Sequence, residues 1–277
     1  MVPRRALPEE RAMEYALKSM FEAGERPLGT WISVGHPVIA EVSAMGGFDF
    51  LLLDTEHTSM SLETVENMVR AVDATDDGAE TVVRIPTNDP VRVKRILDIG
   101  VSGVMVPMIE TAEEARALVE ATRYPPDGIR GIATGRATAY GRDFHSYVAE
   151  ANDRILTIVQ IETRQGLENA DEIARVDGID ALFVGPADLS GSLDVFGEWD
   201  SEELTDAMHD VIDAGAQAGV PVGTLTVQGD DIETRLEQGF DFLIIGKDTS
   251  SLMEKNEELR RRYDDARSVE VGVTDGE

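Results

Sequence analysis

Short runs of consecutive apolar residues recur along the chain, and each is followed by a stretch with helical spacing. LGTWISV (28–34) precedes PVIAEVSAMG, and FDFLLLD (48–54) precedes SLETVENMVRAVDAT. TVVRI (81–85) precedes DPVRVKRILDIG, and GVMVPM (103–108) precedes TAEEARALVEAT. ILTIVQIE (155–162) precedes QGLENADEIARV, and DALFVG (180–185) precedes, after a loop, SEELTDAMHDVIDAGAQAG. VPVGTLT (220–226) precedes DDIETRLEQG, and FDFLIIG (240–246) precedes a last helix from about Thr249. The runs do not alternate apolar with polar, so both faces of each strand are predicted to be buried, as in a parallel sheet covered by helices. Gly46, Gly100, Gly219 and Gly239 stand where helices should end, just before the next strand. Eight strand–helix units in this length predict an α/β fold of the (β/α)8 TIM-barrel type, as one domain. A doubly wound open sheet would need a Gly-rich phosphate loop after its first strand, and SVGHPVIA is not one.

The domain is expected to span residues 1–267, with a helix at each end, and residues 268–277 (SVEVGVTDGE) read as a disordered tail. Two segments break the repeat. Residues 123–153 are far longer than a usual connection between helix and strand, and carry Arg123, Arg130, Arg136 and Arg142. GSLDVFGEWD (191–200) follows the sixth strand. Inserted loops of this kind are commonly functional, and the arginines are expected either to fold the first one over a site or to bind an acidic ligand.

Charge narrows the classes. The net charge of −29 disfavours nucleic-acid binding, because a phosphate backbone would be repelled. With no cysteine, disulfide scaffolds and thiolate metal sites are excluded. No apolar run approaches the roughly 18–20 residues of a membrane helix, and MVPRRALPEERAMEYALKSM lacks the apolar core of a signal peptide. A cytoplasmic protein with no membrane partner is expected. The acid is dispersed over several helices, and lysine occurs only at 18, 94, 247 and 255. Such a surface resembles proteins of high-salt cytoplasm, as in halophilic archaea, where screening tames self-repulsion.

In a barrel of this kind, chemistry lies at the C-terminal ends of the strands. Those ends offer Asp54-Thr55-Glu56-His57, Arg84, Gln160-Ile161-Glu162, the run Gly185 to Ser190 that includes Ala187 and Asp188, Leu225, and Gly246-Lys247-Asp248. Adjacent strands lie about 4.8 Å apart, so Glu162 and Asp188 can converge on one ion, or each can cap the helix that follows it. Two carboxylates suit a hard divalent cation. Asp54 could fix the imidazole of His57 and keep it basic. Arg84 ends an apolar strand and needs an anion, either a structural acid or a substrate carboxylate. His36 could line the rim, whereas His145 and His209 have weaker claims.

LLLDTEH, VVRIPTNDPVRVKRILDIGVSGVMVPM, RYPPDGIRG, VQIET and GPADLS, in this order and spacing, resemble the HpcH/HpaI aldolases, metal-dependent class II pyruvate aldolases related to citrate lyase β-subunits. The resemblance covers roughly residues 28–250. It implies cleavage or formation of 4-hydroxy-2-oxo acids from pyruvate and an aldehyde, through a metal-stabilised pyruvate enolate. It implies His57 as base with Asp54, Arg84 on the pyruvate carboxylate and enolate, and Glu162 and Asp188 as ligands of Mg2+ or Mn2+, with Co2+ a further option. It also implies pocket contacts from Gln160, Gly185, Ala187 and Leu225. A homo-oligomer is implied, a hexamer built as a trimer of dimers that exchange C-terminal helices.

Thr55 stands where the family often has Gly, the loop after GPADLS differs, and Lys247 is not a lysine position in the family. These departures bear on the aldehyde rather than on pyruvate. Two rival chemistries remain open at this point. One is a Schiff-base aldolase using Lys247. The other is a CoA-thioester lyase of the citrate lyase or malyl-CoA lyase type, with the arginines of 123–142 on the adenosine phosphates.

Overall fold

Eight parallel strands close into one ring, each paired with its neighbours in sequence and β8 returning to β1. The computed structural model describes residues 16–75, 78–227 and 231–274. The strands are β1 (Leu28–Ile32), β2 (Phe50–Asp54), β3 (Glu80–Arg84), β4 (Gly103–Val106), β5 (Leu156–Ile161), β6 (Ala181–Val184), β7 (Val222–Thr226) and β8 (Phe242–Lys247). Helices α1 (Ala16–Glu22), α2 (Pro37–Ala44), α3 (Leu62–Asp73), α4 (Pro90–Leu97) and α5 (Ala112–Thr122) belong to the first half. The second half contributes α6 (Phe144–Arg154), α7 (Arg164–Glu168), α8 (Ala170–Ala174), α9 (Pro186–Ser192), α10 (Glu202–Ala218), α11 (Ile232–Glu237) and α12 (Asp248–Thr274). The predicted (β/α)8 barrel is the observed fold. No described helix is long and apolar enough to cross a membrane.

Period-2 alternation explains why the strands are apolar throughout. Leu51, Leu53, Val83, Val104, Val159, Ile161, Leu182 and Val184 point outward into the shell shared with the helices. Trp31, Phe50, Leu52, Val82, Met105, Leu156, Ile158, Phe183, Phe242 and Ile244 point inward and fill the barrel. At the N-terminal end, α1 closes the ring. Leu17 and Phe21 enter the interior cluster, and Phe21 meets Phe242 edge-on at 4.9 Å. Leu17 N–H donates to Glu80 Oε1 (2.8 Å), and Lys18 Nζ reaches Ile155 O (3.1 Å) and Asp180 (3.0 Å).

Three sequence expectations are corrected. The left-handed residue after α2 is Gly47 (φ 81°), not Gly46, because that helix ends through a right-handed Met45. The tail expected from Ser268 is helical as far as Thr274, as a continuation of α12, and residues 275–277 lie outside the described residues. Within the chain, the arginine-bearing segment does not fold over the strand C-termini. It joins α5 to β5, so it lies at the N-terminal end of the barrel, and its charges have acidic partners. Arg123 faces Asp177, Arg136 bonds Asp73 and Ile99 O, and Arg142 bonds Asp143. Arg130 has its guanidinium 4.4 Å from the centre of the Tyr124 ring, with Asp98 at 3.2 Å.

Candidate active site

The alternation that fills the barrel also aims its last inward residues at the C-terminal mouth. Along β2, Phe50 and Leu52 point inward, so Asp54 does too; along β3, Val82 and then Arg84; along β5, Ile158, Gln160 and, one step past the strand, Glu162. Register places Asp54 directly beside Arg84. Arg84 Nε donates to Asp54 Oδ1 (3.0 Å) and Nη2 to Oδ2 (2.9 Å), while Nη1 lies 2.8 Å from Glu56 Oε2. The guanidinium stacks over Trp31 at 4.5 Å, and Trp31 Nε1 donates to Asp54 Oδ2 (3.4 Å). Arg84 therefore has its structural acid, and the outer N–H groups of its fork remain for a substrate oxygen.

Asp54 does not hold the imidazole of His57, contrary to the sequence expectation. Its oxygens are taken by Arg84, Trp31 and the backbone N–H groups of Glu56 (3.0 Å) and His57 (3.4 Å). Burial alone would raise the Asp54 carboxyl, but the Arg84 hydrogen bonds and charge, with the two N–H donors, hold it below its usual range. His57 extends into solvent, 68% exposed, and its Nε2 lies 3.7 Å from Glu56 Oε2. Glu56, which the sequence alone does not single out, sits between Asp54 and His57 and faces Arg84. Burial raises its carboxyl, partly offset by Arg84 and His57.

Glu162 is 3% exposed. Its Oε1 accepts Met108 N–H (3.0 Å) and its Oε2 accepts Gln160 Nε2 (3.1 Å). Burial, with Asp188 and Glu56 nearby, pushes its carboxyl up to about 7, against the lowering effects of Met108 N–H and Arg84. Gly185 faces this carboxylate, and a Cβ there would stand 2.5 Å from Glu162 Oε2. Neither acid is a helix cap: Thr163 caps α7 through its side chain, and Gly185 is the N-cap of α9. Asp188 is exposed in the first turn of α9, and Ala187 lies beside it. Gln160 Oε1 is buried without a hydrogen-bond partner. Leu225 is half-buried against the interior cluster. His36 caps α2 by accepting Val38 N–H (3.2 Å), and His145 and His209 are exposed on α6 and α10.

A hard divalent cation fits these donors. The carboxylates of Glu162 and Asp188 act on one another electrostatically, and buried negative charge in excess is what a cation relieves. Among the described residues no three His, Cys, Asp or Glu side chains gather closely enough to enclose an ion by themselves, so a cation held by two carboxylates keeps positions for substrate oxygens.

A (β/α)8 barrel with paired carboxylates, an arginine and a histidine at its C-terminal mouth defines a class of barrel enzymes working on small oxygenated molecules. The model of the HpcH/HpaI aldolase/citrate lyase family matches residues 28–254, and the chain belongs to that family. It is 38% identical over 258 residues to a 4-hydroxy-2-oxovalerate aldolase of Novosphingobium aromaticivorans, covering 93% of this chain and 98% of the relative. It is 38% identical over 264 residues to a 4-hydroxy-2-oxo-heptane-1,7-dioate aldolase of Shigella sonnei, covering 94% and 100%. A crystal structure of a family member from Burkholderia cenocepacia superposes with TM-score 0.87 at 36% identity, covering 90% of this chain and 99% of that one.

Proposed function

We propose that the protein is a divalent-metal-dependent aldolase that cleaves or forms 4-hydroxy-2-oxo acids, with pyruvate as one partner and an aldehyde as the other. The observation that carries this reading is the buried Glu162 carboxylate at the barrel mouth, beside Asp188 and in a space that Gly185 keeps open. The names of the two relatives support it, since they share the 4-hydroxy-2-oxo unit and differ only in the chain beyond it.

Glu162 and Asp188 would hold Mg2+, Mn2+ or Co2+, which when bound supplies Lewis-acid stabilisation of negative charge on the C2 oxygen. In cleavage, His57 Nε2 takes the proton of the C4 hydroxyl, the C3–C4 bond breaks, and its electron pair is delocalised from C3 toward the C2 carbonyl. The aldehyde leaves, and protonation of C3 gives the methyl group of pyruvate. Arg84, fixed by Asp54 and Glu56, turns its remaining N–H groups to the keto acid. No side chain caps α9, so its first N–H groups at Gly185 and Ala187 are available to the carboxylate. Gln160 and Leu225 line the pocket around C3.

The test is exchange of the pyruvate methyl protons with deuterated water, followed by NMR with Mn2+ or Mg2+ and with EDTA. Metal-dependent exchange, with pyruvate released from 4-hydroxy-2-oxo acids, is expected. Exchange indifferent to EDTA would reject the reading.

The reading includes a cytoplasmic enzyme of a high-salt cell, assembled as a homo-oligomer of trimer-of-dimers form. Support for assembly comes from α12. Its Leu252, Met253, Leu259 and Tyr263 are exposed, although its charges are largely tied in its own i,i+3 and i,i+4 pairs. Sedimentation in molar KCl checks it, and a 30.2 kDa species would overturn it.

A further inference from the structure

Lysine is scarce in this chain, and two of the four are tied down: Lys18 to Asp180 and Lys255 to Glu258. Lys94 stands on the outer helix α4. Lys247 is different. It is half-buried at the C-terminal end of β8 and has no hydrogen-bond or ion-pair partner among the described residues. An unpaired cation in a chain with 54 acids and 25 bases is a position where pairing would have been easy.

The strand geometry says where it faces. Phe242 and Ile244 point into the barrel and Leu243 points out. On that alternation residue 246 would be the next to point in and residue 247 would point out. A bulge intervenes: Gly29 pairs with Ile244, but Trp31 pairs with Lys247, so two steps on β1 oppose three on β8, and Gly246 adopts φ +70°. The extra residue returns Lys247 to the inward face that Trp31 occupies. Gly246 and Asp248 line an outer groove together with Thr30 and Ile32, the outward residues of β1. Asp248 is also committed elsewhere, accepting the N–H groups of Ser33, Val34 and Thr249 at 2.7–3.1 Å.

The mouth thus has two unlike sectors. The ends of β2, β3, β5 and β6 carry Asp54, Glu56, Arg84, Glu162 and Asp188. The ends of β7, β8 and β1 carry Leu225, Lys247 and Trp31, an apolar floor with one free positive charge. Arg84 is the other cation of the mouth, and two carboxylates already occupy it.

We infer that Lys247 binds a terminal anionic group on the aldehyde half of the substrate, with Leu225 and Trp31 flanking the short carbon chain between. This inference rests on the aldolase reading and adds to it the substrate class: aldehydes ending in an anion rather than neutral ones. The lysine acts as a point charge for that anion and takes no part in bond making.

The experiment measures aldol addition of pyruvate with Mn2+ to three aldehydes: 4-oxobutanoate, its neutral analogue butanal, and glyceraldehyde 3-phosphate. The wild type is compared with Lys247→Met, Lys247→Gln and Lys247→Arg. The wild type should favour an anionic aldehyde over butanal by tenfold or more in kcat/KM. Lys247→Met and Lys247→Gln should bring that ratio close to one, mainly through KM, and Lys247→Arg should restore part of it. Preference for the phosphate over the carboxylate supports the role and assigns the anion as phosphate. A wild-type ratio near one, or a ratio that survives removal of the charge, overturns the inference. So does a pyruvate adduct trapped on Lys247 by borohydride. Pyruvate proton exchange is followed in parallel. Exchange with an unchanged ratio rejects the inference alone, whereas loss of metal-dependent exchange in the wild type rejects the aldolase reading and the inference with it.

Discussion

The two ends of the barrel interior are built by the same alternation of side chains and have opposite characters. At the N-terminal end, Leu17, Phe21, Phe50 and Phe242 close the ring, and the ion pair between Lys18 and Asp180 is largely buried beside them. At the C-terminal mouth, the next inward positions become Trp31, Asp54, Arg84, Gln160 and Glu162. The apolar end binds the ring together through burial. The charged end places carboxylates where burial raises them, which is costly for folding and suits cation binding. Stability and chemistry are therefore separated along a single axis.

That separation can be broken at either end. Glu162→Gln should lower metal-dependent turnover by ~10³-fold or more, the equivalent of about 4 kcal/mol of lost charge stabilisation, with an unchanged circular dichroism spectrum. Turnover within tenfold of wild type would move the metal site elsewhere. Leu17→Ala should do the reverse. It should cost about 2–4 kcal/mol of stability in urea unfolding and leave kcat/KM alone; a comparable loss of activity would show that the two ends are coupled. Gly185→Ala tests the mouth without removing charge, because its Cβ would displace Glu162 Oε2. Turnover should fall about 10²-fold with little change in melting temperature.

Smaller effects sharpen the contrast. Because the Glu162 carboxyl stands at about 7, protons compete with the cation below that pH. Mn2+ affinity by calorimetry should fall about tenfold per pH unit below 7 and level off above it. In the metal-free protein the same raised value has a definite sign. Its contribution to stability is complete below 4.5 and is lost as pH rises to about 7, and bound Mn2+ should remove that decline. The smallest effect concerns the surface as a whole. With a net charge of −29, the melting midpoint should rise from millimolar to molar KCl as repulsion is screened. A flat or falling midpoint would end the high-salt reading.

The fold was legible because a buried strand with two apolar faces has few alternatives, and eight such runs in series have fewer still. The candidate site was legible as a set of strand ends, but not as a set of partnerships. Proximity in sequence pairs Asp54 with His57, whereas inward alternation and register give it Arg84. Counting alternate residues forward from Phe50 and Val82 finds that pair. Glu56 has no visible role in the sequence because its importance comes from Arg84, 28 positions later in the chain. Composition alone singles out the arginines of residues 123–153 but does not place them. Their place between α5 and β5, which puts them at the other end of the barrel, follows from chain order alone. The bulge at Gly246 left no signal that could be separated from an ordinary glycine.

Ring closure also has a consequence in time. β1 is the first of the eight barrel strands to be synthesised, and its second partner is β8; the hydrogen bond from Ser33 to Asp248 spans 215 positions. While the ribosome works through the intervening helices and strands, one edge of β1 has nothing to pair with. The nascent chain must carry an open sheet until β8 emerges, which is the interval in which unwanted strand pairing between chains is most dangerous. The sector holding Trp31 and Lys247 straddles this seam, so it is the last part of the mouth to take shape in each newly made molecule.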